Sequence, residues 1–303
     1  MKTLVIIVSY NFERWMDRCL GSLRQSEYPA DVIVVDNNSQ DHTVRLIKKR
    51  YPEVRLIEAG TNLGFGRANN LGMTIALDEG YDAVFLLNQD AWIAPDTLGT
   101  LAQLSRQHPE YGILSPTHLT GSGDRLEKGF AAYAELQETE IAPSSSSAEA
   151  LRPISFVNAA FWFIPTDVLR RIGGFCPLFY HYREDVDYIN RLHYHGYRVG
   201  YSPTVFGCHD RENRPVTRAA FLRSEQVYLL SEYANLHYSF PKAFAYGVLA
   251  SVKKALQAGL KNGAKGINGA FAYLEITARL LGETKAVIGY RRKNKQQGRW
   301  YLP

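Results

Sequence analysis

Residues 3–9 read Thr-Leu-Val-Ile-Ile-Val-Ser, and residues 31–35 read Asp-Val-Ile-Val-Val. Short apolar runs rich in β-branched residues are typical of strands buried on both faces of a parallel sheet. Between them, Glu13–Arg24 has apolar side chains at helical spacing, so the start of the chain predicts one βαβ unit. The same alternation continues to about residue 115, which indicates an open, mostly parallel α/β sheet with helices on both faces.

The remaining elements follow from the same periodicities. The predicted helices of the first part are Asp41–Arg50, Arg67–Leu77 and Pro95–Gln107, and its further strands are Val54–Glu58, Ala83–Leu87 and Gly112–Ser115. In the second part we expect extended segments at Ile154–Val157, Phe161–Ile164 and Arg198–Tyr201, and helices at Thr166–Ile172 and Glu184–His195. The run Ser144–Ser147 is typical of a mobile loop or a surface connection. From about Arg218 onward the pattern is mostly helical.

Composition limits the class of protein. The chain has 303 residues, of which 46% are hydrophobic, enough for a full core. No apolar run approaches the ~18–20 residues that span a bilayer. The first residues resemble a signal peptide only weakly, because the run is short and has no small-residue cleavage site, and we interpret them as the first buried strand. Three scattered cysteines fit a reducing cytoplasm and no disulfide framework.

Charge is distributed unevenly along the chain. The net charge is +5, but residues 242–303 hold 12 Lys or Arg against two Glu. Within that region, Phe240–Leu260 and Gly269–Arg292 are predicted to be helices with apolar faces and many cations, a pattern suited to an anionic lipid surface. A solvated helical face or an oligomer contact explains the same pattern. Nucleic-acid binding is not favoured, because no basic-aromatic motif accompanies the charge.

Polar residues follow three of the predicted strands. They are Tyr10 and Asn11, then Asp36 to Ser39, then Asn88 to Asp90, and in such sheets ligands bind outside the carboxyl ends of the strands. Asp36 could accept a hydrogen bond from a pyrimidine ring N–H or from ribose, or serve the start of the next helix. Asp90 could hold a divalent metal that bridges two phosphates, or be a turn or capping residue.

A second acidic group opens a later helix at Glu184, Asp185 and Asp187. The helix dipole lowers the pKa of carboxylates in the first turn and like charges raise it, which gives the adjustable site that a general base needs. Simple charge matching at a helix start explains the acids equally well. Asp187 and Arg191 are spaced to form an exposed or half-buried pair. His209 is either a structural hydrogen-bonding residue or a ligand.

Two common nucleotide-binding motifs are absent from the sequence. There is neither a G-x-x-x-x-G-K-[S/T] loop nor a complete G-x-G-x-x-G, so kinase and dinucleotide-dehydrogenase interpretations lose their main support. A nucleotidyltransferase would also use metal-binding carboxylates, but it would usually carry a basic glycine-rich loop where Tyr10-Asn11-Phe12-Glu13 stands. A non-catalytic nucleotide-sugar-binding module remains the other alternative.

Together these residues resemble the family 2 glycosyltransferases, which have the GT-A fold. The resemblance runs from about Thr3 to His209 and is closest to the rhamnosyltransferase-like branch, which builds bacterial surface polysaccharides. The matching segments are Val8-Ser9-Tyr10-Asn11, Val34-Val35-Asp36-Asn37-Asn38-Ser39, Asn62 to Gly72, Asn88-Gln89-Asp90 in place of the DXD motif, Gly173-Gly174-Phe175, Glu184 to Arg191, and His209.

The resemblance implies an inverting, metal-dependent hexosyltransferase. The donor would be dTDP-rhamnose or a UDP-sugar, the acceptor a glycan or a polyprenyl-linked glycan, and the metal Mg²⁺ or Mn²⁺ at Asp90 and His209. Asp185 would be the general base, supported by Glu184. The donor-binding residues would be Ser9, Tyr10, Asn11, Asp36, Asn38, Arg67, Asn70 and Asn88, and the acceptor-side residues Trp162, Glu184 and Arg191.

The sequence also departs from the family pattern. Asn88 replaces the first acid of DXD, and Cys176-Pro177 replaces the acidic pair that commonly follows G-G-F. We expect a nucleotide-sugar transferase domain at residues 1–215 and a basic helical region at 216–303. The expected location is the cytoplasm, either free or peripheral on the inner face of the plasma membrane, and an oligomer is compatible with the sequence.

Overall fold

A computed structural model describes residues 1–138, 150–211, 217–260 and 264–303. The predicted loop Ser144–Ser147 and the expected boundary after residue 215 both lie outside the described residues. The division into two regions therefore stays a proposal.

One nine-stranded sheet forms the centre of the molecule. Its strands are β1 (Thr3–Ser9), β2 (Asp31–Asp36), β3 (Arg55–Glu58), β4 (Ala83–Asn88), β5 (Ala91–Ile93), β6 (Tyr111–Thr120), β7 (Arg152–Pro153), β8 (Phe161–Pro165) and β9 (Arg198–His209). They are ordered β3-β2-β1-β4-β8-β6-β9-β5, and β7 pairs with β9. Because β8, β5 and β7 run antiparallel to their neighbours and the other pairings are parallel, six strands share one direction. The predicted mostly parallel sheet is confirmed.

Twelve α-helices accompany the sheet within the described residues. They are α1 (Met16–Arg24), α2 (Thr43–Arg50), α3 (Phe65–Asp78), α4 (Thr97–Gln107), α5 (Lys128–Ala134), α6 (Thr166–Ile172), α7 (Glu184–Tyr194), α8 (Arg218–Ala234), α9 (Phe240–Phe244), α10 (Ala250–Gly259), α11 (Ala264–Gly282) and α12 (Thr284–Asn294). A π-helical turn, Ala245–Leu249, joins α9 to α10.

Successive side chains of β1 point to opposite faces of the sheet, which gives the molecule two cores. Leu4 and Ile6 pack with residues of α3, α6 and α7 on one face, whereas Val5 and Ile7 pack with residues of α1, α2 and α4 on the other. All four side chains are at most 2% exposed. A strand apolar on both faces therefore requires helices on both sides, as the sequence predicted.

Three elements differ from the sequence prediction. The predicted extended segment Ile154–Val157 is not a strand, because the pairing to β9 is made by Arg152–Pro153 just before it. Strand β5 and helix α5 were not predicted. β5 has only three residues and forms by pairing with the end of β9, from Ala91 opposite His209 to Ile93 opposite Gly207. That pairing places the end of β9 beside the end of β4.

The last 80 residues build a third core on the sheet domain. It contains residues of α8, α11 and α12 together with Cys176 and Phe179 from the segment before α7. The predicted helix Gly269–Arg292 is interrupted, since α11 ends at Gly282 and α12 begins at Thr284. The chain end returns to the sheet domain, where the N–H of Gly174 donates to the Trp300 carbonyl at 2.8 Å. Among the described residues, no helix combines the length and apolarity needed to cross a membrane.

Candidate active site

A cavity of 390 Å³ opens at the carboxyl ends of β1 and β4. It is lined by Val8, Ser9, Tyr10, Asn37, Asn62, Gly64, Phe65, Asn88, Gln89, Asp90, Tyr180 and His181. Four of the predicted site residues, Ser9, Tyr10, Asn88 and Asp90, are thus brought to one wall. This is the edge at which an open α/β sheet binds its ligand.

A buried hydrogen-bond network fixes the floor beside this cavity. The Ser9 hydroxyl donates to Asp36 Oδ1 at 2.9 Å, and the Ser39 hydroxyl and N–H donate to the two oxygens of the same carboxylate. Asp36 is only 2% exposed and is not among the residues that line the cavity. The carboxylate thereby holds the end of β1 against the turn after β2, and its predicted contact with a nucleoside stays a prediction.

Gln89 ties two strand ends together. Its Oε1 accepts from the Tyr10 N–H at 2.8 Å, and its Nε2 donates to the Tyr10 carbonyl at 3.1 Å. A paired amide-to-backbone contact fixes both position and orientation, so the side chain of Tyr10, 45% exposed, stands at the cavity rim. The sequence predicts Gln89 at this edge of the sheet, after a buried strand, but it does not predict this positioning role.

Asp90 and His209 meet although they are far apart in the chain. Asp90 Oδ1 lies 3.3 Å from His209 Nε2, and Asn88 Nδ2 lies 3.5 Å from the same nitrogen. The pairing of β5 with β9 sets this geometry, because the N–H of Asp210 also donates to the Asp90 carbonyl at 2.8 Å. The His209 ring is buried, and its Nδ1 has no partner among the described residues.

These two side chains fit a divalent cation that is shared with a bound diphosphate. Two ligand atoms at right angles, each about 2.1 Å from an ion, lie about 3 Å apart, close to the observed carboxylate–imidazole separation. No cluster of three or more His, Cys, Asp or Glu that could hold a metal occurs within the described residues. The protein would therefore supply few ligands, and phosphate oxygens and water the rest, as is usual for Mg²⁺.

Two consecutive residues in the left-handed region immediately precede the acidic helix α7. Tyr182 has φ 71° and Arg183 has φ 67°. Non-glycine residues adopt this conformation at a cost of about 1–3 kcal/mol each, and such outliers cluster at functional sites. The turn aims the first two helical residues in different directions: Glu184 is 6% exposed, whereas Asp185 is half-buried.

The two neighbouring carboxylates differ in their electrostatics. Burial, with a smaller contribution from the charge of Asp185, raises the pKa of Glu184 to about 8, and its Oε2 has no partner among the described residues. Burial also raises the pKa of Asp185, but the Val186 N–H and the charges of Arg183 and Arg211 oppose that rise. The pKa of Asp185 is thus raised by burial against the opposing effect of neighbouring cations, which gives the adjustable carboxylate that a general base requires.

Asp187 and Arg191 form a fully buried pair instead of the expected exposed or half-buried one. Arg191 Nε donates to Asp187 Oδ2 at 2.9 Å, and its two terminal nitrogens donate to the carbonyls of Ile172 and Gly174 at 2.9 and 2.7 Å. Arg191 is 1% exposed. Its predicted acceptor-side role is therefore wrong, because the guanidinium joins α7 to the segment after α6 and does not reach solvent.

Two other predicted contacts are also wrong. Trp162 is 0% exposed, its indole N–H donates to the Val157 carbonyl at 3.1 Å, and its ring stacks on Phe175, so it belongs to the core and not to an acceptor site. Asn70 is buried and its amide bonds the backbone of Phe175 and Tyr301, which leaves it unavailable to a donor.

Three further predicted donor residues, besides Asp36 and Asn70, do not line the cavity. Asn11 accepts from the Gln40 N–H at 2.9 Å and so holds the turn after β1. Asn38 is exposed with φ 65°, and Arg67 is exposed on α3, where its charge acts on Tyr290 of α12. Donor contacts from these three side chains remain predictions.

The cavity also contains residues to which the sequence assigned no individual site role. Asn37 holds the start of the loop before α3 through the Leu63 N–H and the Gly64 carbonyl. Gly64 has φ 78°, and a Cβ there would collide with the Tyr180 carbonyl, so only glycine allows the two loops to touch. Tyr180 and His181 line the opposite wall, and the aromatic cluster that precedes the acidic helix was the available signal.

Comparison with known proteins agrees with this geometry. A model of the glycosyl transferase family 2 matches residues 4–173, which is more than half of the chain. The chain belongs to glycosyl transferase family 2. It is therefore a transferase of sugars, as the motifs predicted, and the family assignment is confirmed.

Two curated relatives cover most of this family 2 transferase. One is N-acetylglucosaminyl-diphospho-decaprenol L-rhamnosyltransferase of Mycobacterium tuberculosis, 26% identical over 237 residues, which are 68% of this chain and 75% of the relative. The other is the low-salt glycan biosynthesis hexosyltransferase Agl10 of Haloferax volcanii, 26% identical over 228 residues, which are 74% of this chain and 71% of the relative.

Solved structures share the fold. The mannosyltransferase PcManGT of Pyrobaculum calidifontis, in complex with GDP-Man and Mn²⁺, matches with a TM-score of 0.57 at 19% identity, over 99% of this chain and 84% of that one. TarS 1–349 of Staphylococcus aureus, in complex with UDP, matches with a TM-score of 0.52 at 16% identity, over 97% of this chain and 88% of that one. The GT-A fold with a helical C-terminal region is confirmed.

Proposed function

We propose that this family 2 transferase moves a sugar, with inversion, from a nucleoside diphosphate donor to a polyprenyl-linked or other glycan acceptor in surface-polysaccharide synthesis. The observation that carries the proposal is the meeting of Asp90 and His209, 3.3 Å apart, at the wall of the cavity formed by the ends of β1 and β4. The donor would be dTDP-rhamnose or a UDP-sugar, in keeping with the names of the relatives.

The proposed reaction is a single displacement. An acceptor oxygen forms a bond to the anomeric carbon as the bond from that carbon to the diphosphate breaks, and the proton of the acceptor passes to the Asp185 carboxylate. A bound Mg²⁺ or Mn²⁺ would neutralise charge on the leaving diphosphate. Asp90 and His209 would hold that ion. Asp185 belongs to a different element, and the charge of Arg211, two residues after His209, acts on it.

Lipid attachment is the second part of the proposal, with the protein peripheral on the inner face of the plasma membrane. Every exposed leucine, isoleucine and phenylalanine of the described residues lies between residues 217 and 303, whereas the exposed large hydrophobics elsewhere are all tyrosines. The same region holds 12 cations against two acids from residue 242 onward. Apolar side chains among cations favour an anionic bilayer surface, where a lipid-linked acceptor would be presented.

The donor assignment is tested by thermal unfolding of the whole chain with UDP-, dTDP- and GDP-sugars, with and without Mn²⁺. A ligand at 100 times its Kd raises the free energy of unfolding by about 2.7 kcal/mol, so one donor class should raise Tm clearly and more strongly with Mn²⁺. In Asp90→Asn the Mn²⁺-dependent part of the shift and most sugar transfer should vanish. Asp96→Asn, an exposed acid six residues away, is the control. Full transfer by Asp90→Asn in Mn²⁺ would contradict the site.

A further inference from the structure

A second cavity adjoins the first on the far side of the loop before α7. Its volume is 470 Å³, and it lies between that loop and helices α8 and α11. It is lined by Leu178, Phe179, Tyr180, His181, Tyr182, Arg223, Gln226, Val227, Leu230, Arg279, Leu280 and Glu283. We refer to it as the α8–α11 cavity.

The two cavities share a wall. Tyr180 and His181 line both of them, and Tyr180 is fixed by a hydrogen bond from its hydroxyl to the Asn62 carbonyl at 3.0 Å. The next residues, Tyr182 and Arg183, lead directly into Asp185. A molecule in the α8–α11 cavity would therefore extend from the turn that carries the proposed base.

The chemistry of the α8–α11 cavity differs from that of the donor cavity. Aliphatic and aromatic side chains make up much of its lining, including Leu178, Val227 and Leu280. Arg223 is exposed on α8 and makes no hydrogen bond or ion pair within the described part of the chain. Arg279 bonds Glu275 and Gln226, and Glu283 is the one carboxylate in the lining. The wall thus combines an apolar surface with a cation, Arg223, that has no counter-ion among the described residues.

We propose that the α8–α11 cavity binds the phosphate-proximal isoprene units of a polyprenyl-linked acceptor, with Arg223 on its phosphate. This inference rests on the proposed function and names the acceptor class of the same site. An isoprenoid needs an apolar channel and its phosphate needs a cation, and both occur here beside the base-bearing turn. Helix α11, which supplies Leu280, also exposes Ile267, Phe271 and Leu281, so one helix connects the cavity with the surface proposed for the bilayer.

The experiment is a calorimetric titration of the whole chain, without divalent metal, with three probes: farnesyl diphosphate, farnesol and inorganic diphosphate. Farnesyl diphosphate should bind at least about tenfold more tightly than either fragment, which is about 1.4 kcal/mol. Arg223→Glu should weaken its binding by about tenfold or more, since an attractive charge becomes a repulsive one. Val227→Asp should weaken the binding of farnesyl diphosphate, because it places a charge in the apolar wall of the cavity. Arg292→Glu, an exposed arginine on α12, is the matched control.

A further variant separates the two cavities. Asp90→Asn should leave farnesyl diphosphate binding unchanged, because the donor wall is not involved. Loss of binding in Asp90→Asn with normal binding in Arg223→Glu would place the diphosphate in the donor cavity and overturn the proposal. Inorganic diphosphate that binds as tightly as farnesyl diphosphate would overturn it too. Sugar transfer is measured separately, so a failed donor assignment and a failed lipid channel give different results.

Discussion

Glu184 and Asp185 are neighbours in sequence, but their side chains have different surroundings. Glu184 is buried against α3, where its Cβ lies 3.9 Å from the position that a Cβ on Gly66 would take. Asp185 is half-buried, and the charges of Arg183 and Arg211 favour its ionised form. Burial raises the pKa of both carboxyls, but neighbouring cations oppose that rise only at Asp185, so the two acids are poised differently, as in sites where one carboxylate serves as a base.

Asp185→Asn should lower kcat by about 10²–10⁴-fold, the usual contribution of a general base, because the amide cannot accept the acceptor's proton. Donor affinity should be unchanged, since Asp185 is not among the residues that line the donor cavity. The measurement is kcat for sugar transfer together with the Kd of the donor. Asp167→Asn, a highly exposed acid on α6, is the control. Normal turnover would exclude Asp185 as base, and lost donor binding would reassign it to the donor site.

Glu184→Gln should remove a pH dependence of stability. Folded Glu184 keeps its proton up to a pKa of about 8, whereas the unfolded chain releases it near the ordinary value of 4.5. The folded state therefore binds more protons between these values, and the free energy of unfolding of the native chain falls as pH rises through that window. The fall is at most about 1.4 kcal/mol per pH unit, and glutamine escapes it.

Urea unfolding of both chains at pH 5, 6.5 and 8 measures this difference. The free energy of unfolding of the variant should increase relative to that of the native chain with each increase in pH. This difference should level off above pH 8. Parallel curves for the two chains would show that Glu184 is ionised in the folded state at neutral pH.

The buried Asp187–Arg191 pair fixes the position of helix α7 more than the helix propensity of its residues does. Arg191 donates three hydrogen bonds, to Asp187 and to the carbonyls of Ile172 and Gly174. It therefore fixes the helix to the end of α6 and the turn that follows. Removing one partner of a buried pair leaves an uncompensated charge, which costs about 3–5 kcal/mol. Because Asp185 lies on the first turn of this helix, the pair also positions the proposed base.

Asp187→Asn should therefore lower the free energy of unfolding by about 3 kcal/mol or more. Glu275→Gln on α11 is a matched control, since Glu275 and Arg279 have the same i, i+4 spacing but are exposed, and such pairs contribute about 1 kcal/mol or less. Urea unfolding monitored by tryptophan fluorescence measures both. If both variants lost the same small amount of unfolding free energy, the buried Asp187–Arg191 pair would contribute no more to stability than the exposed pair.

An element can be predicted from the sequence when a short segment alone causes it to form. Strands β1 and β2 and helix α6 could be predicted because apolar runs and helical spacing are properties of short segments. Strand β5 could not, because its three residues form a strand only by pairing with β9. The start of α1 moved from Glu13 to Met16 because the N–H groups of Trp15 and Met16 donate to the Phe12 carbonyl in a preceding turn.

The same argument applies to the site. Asp90 was a candidate from its position at a strand end and His209 from the family resemblance, and the sheet brings the two side chains together. Trp162 and Arg191 were misplaced because their side chains are often exposed at binding sites, whereas here the packing of α6 and α7 buries both. The roles of Gln89 and Tyr180 could not be predicted because their contacts, to Tyr10 and Asn62, join segments that only the tertiary fold brings near each other.

At the scale of the whole molecule, the catalytic edge and the basic helical region are joined at several points. The chain end binds the Gly173-Gly174 turn through the Trp300 carbonyl, and Arg183 lies over the Tyr228 ring of α8 at 4.8 Å. The exposed apolar side chains are concentrated near the end of the α10–α11 hairpin: Leu260 is 84% exposed, Leu256 and Phe271 are each 66% exposed, and Ile267 is 57% exposed. A bilayer that receives this hairpin end would contact helix α11, whose other end lines the α8–α11 cavity.

The whole chain should therefore sediment with anionic vesicles but not with neutral ones, and salt should weaken the binding, because exposed cations are screened over about 10 Å at 0.1 M. Leu260→Glu combined with Phe271→Glu should weaken vesicle binding by about tenfold or more, since burying each side chain contributes about 1.5–3 kcal/mol. Tyr194→Glu, an exposed aromatic of α7, is the control and should bind normally. Equal binding to both vesicle types would contradict electrostatic attachment. Vesicle binding that survives the double change would show that the hairpin end is not the membrane contact. A dimer that the double change dissociates would assign the hairpin end to a contact between copies of this chain.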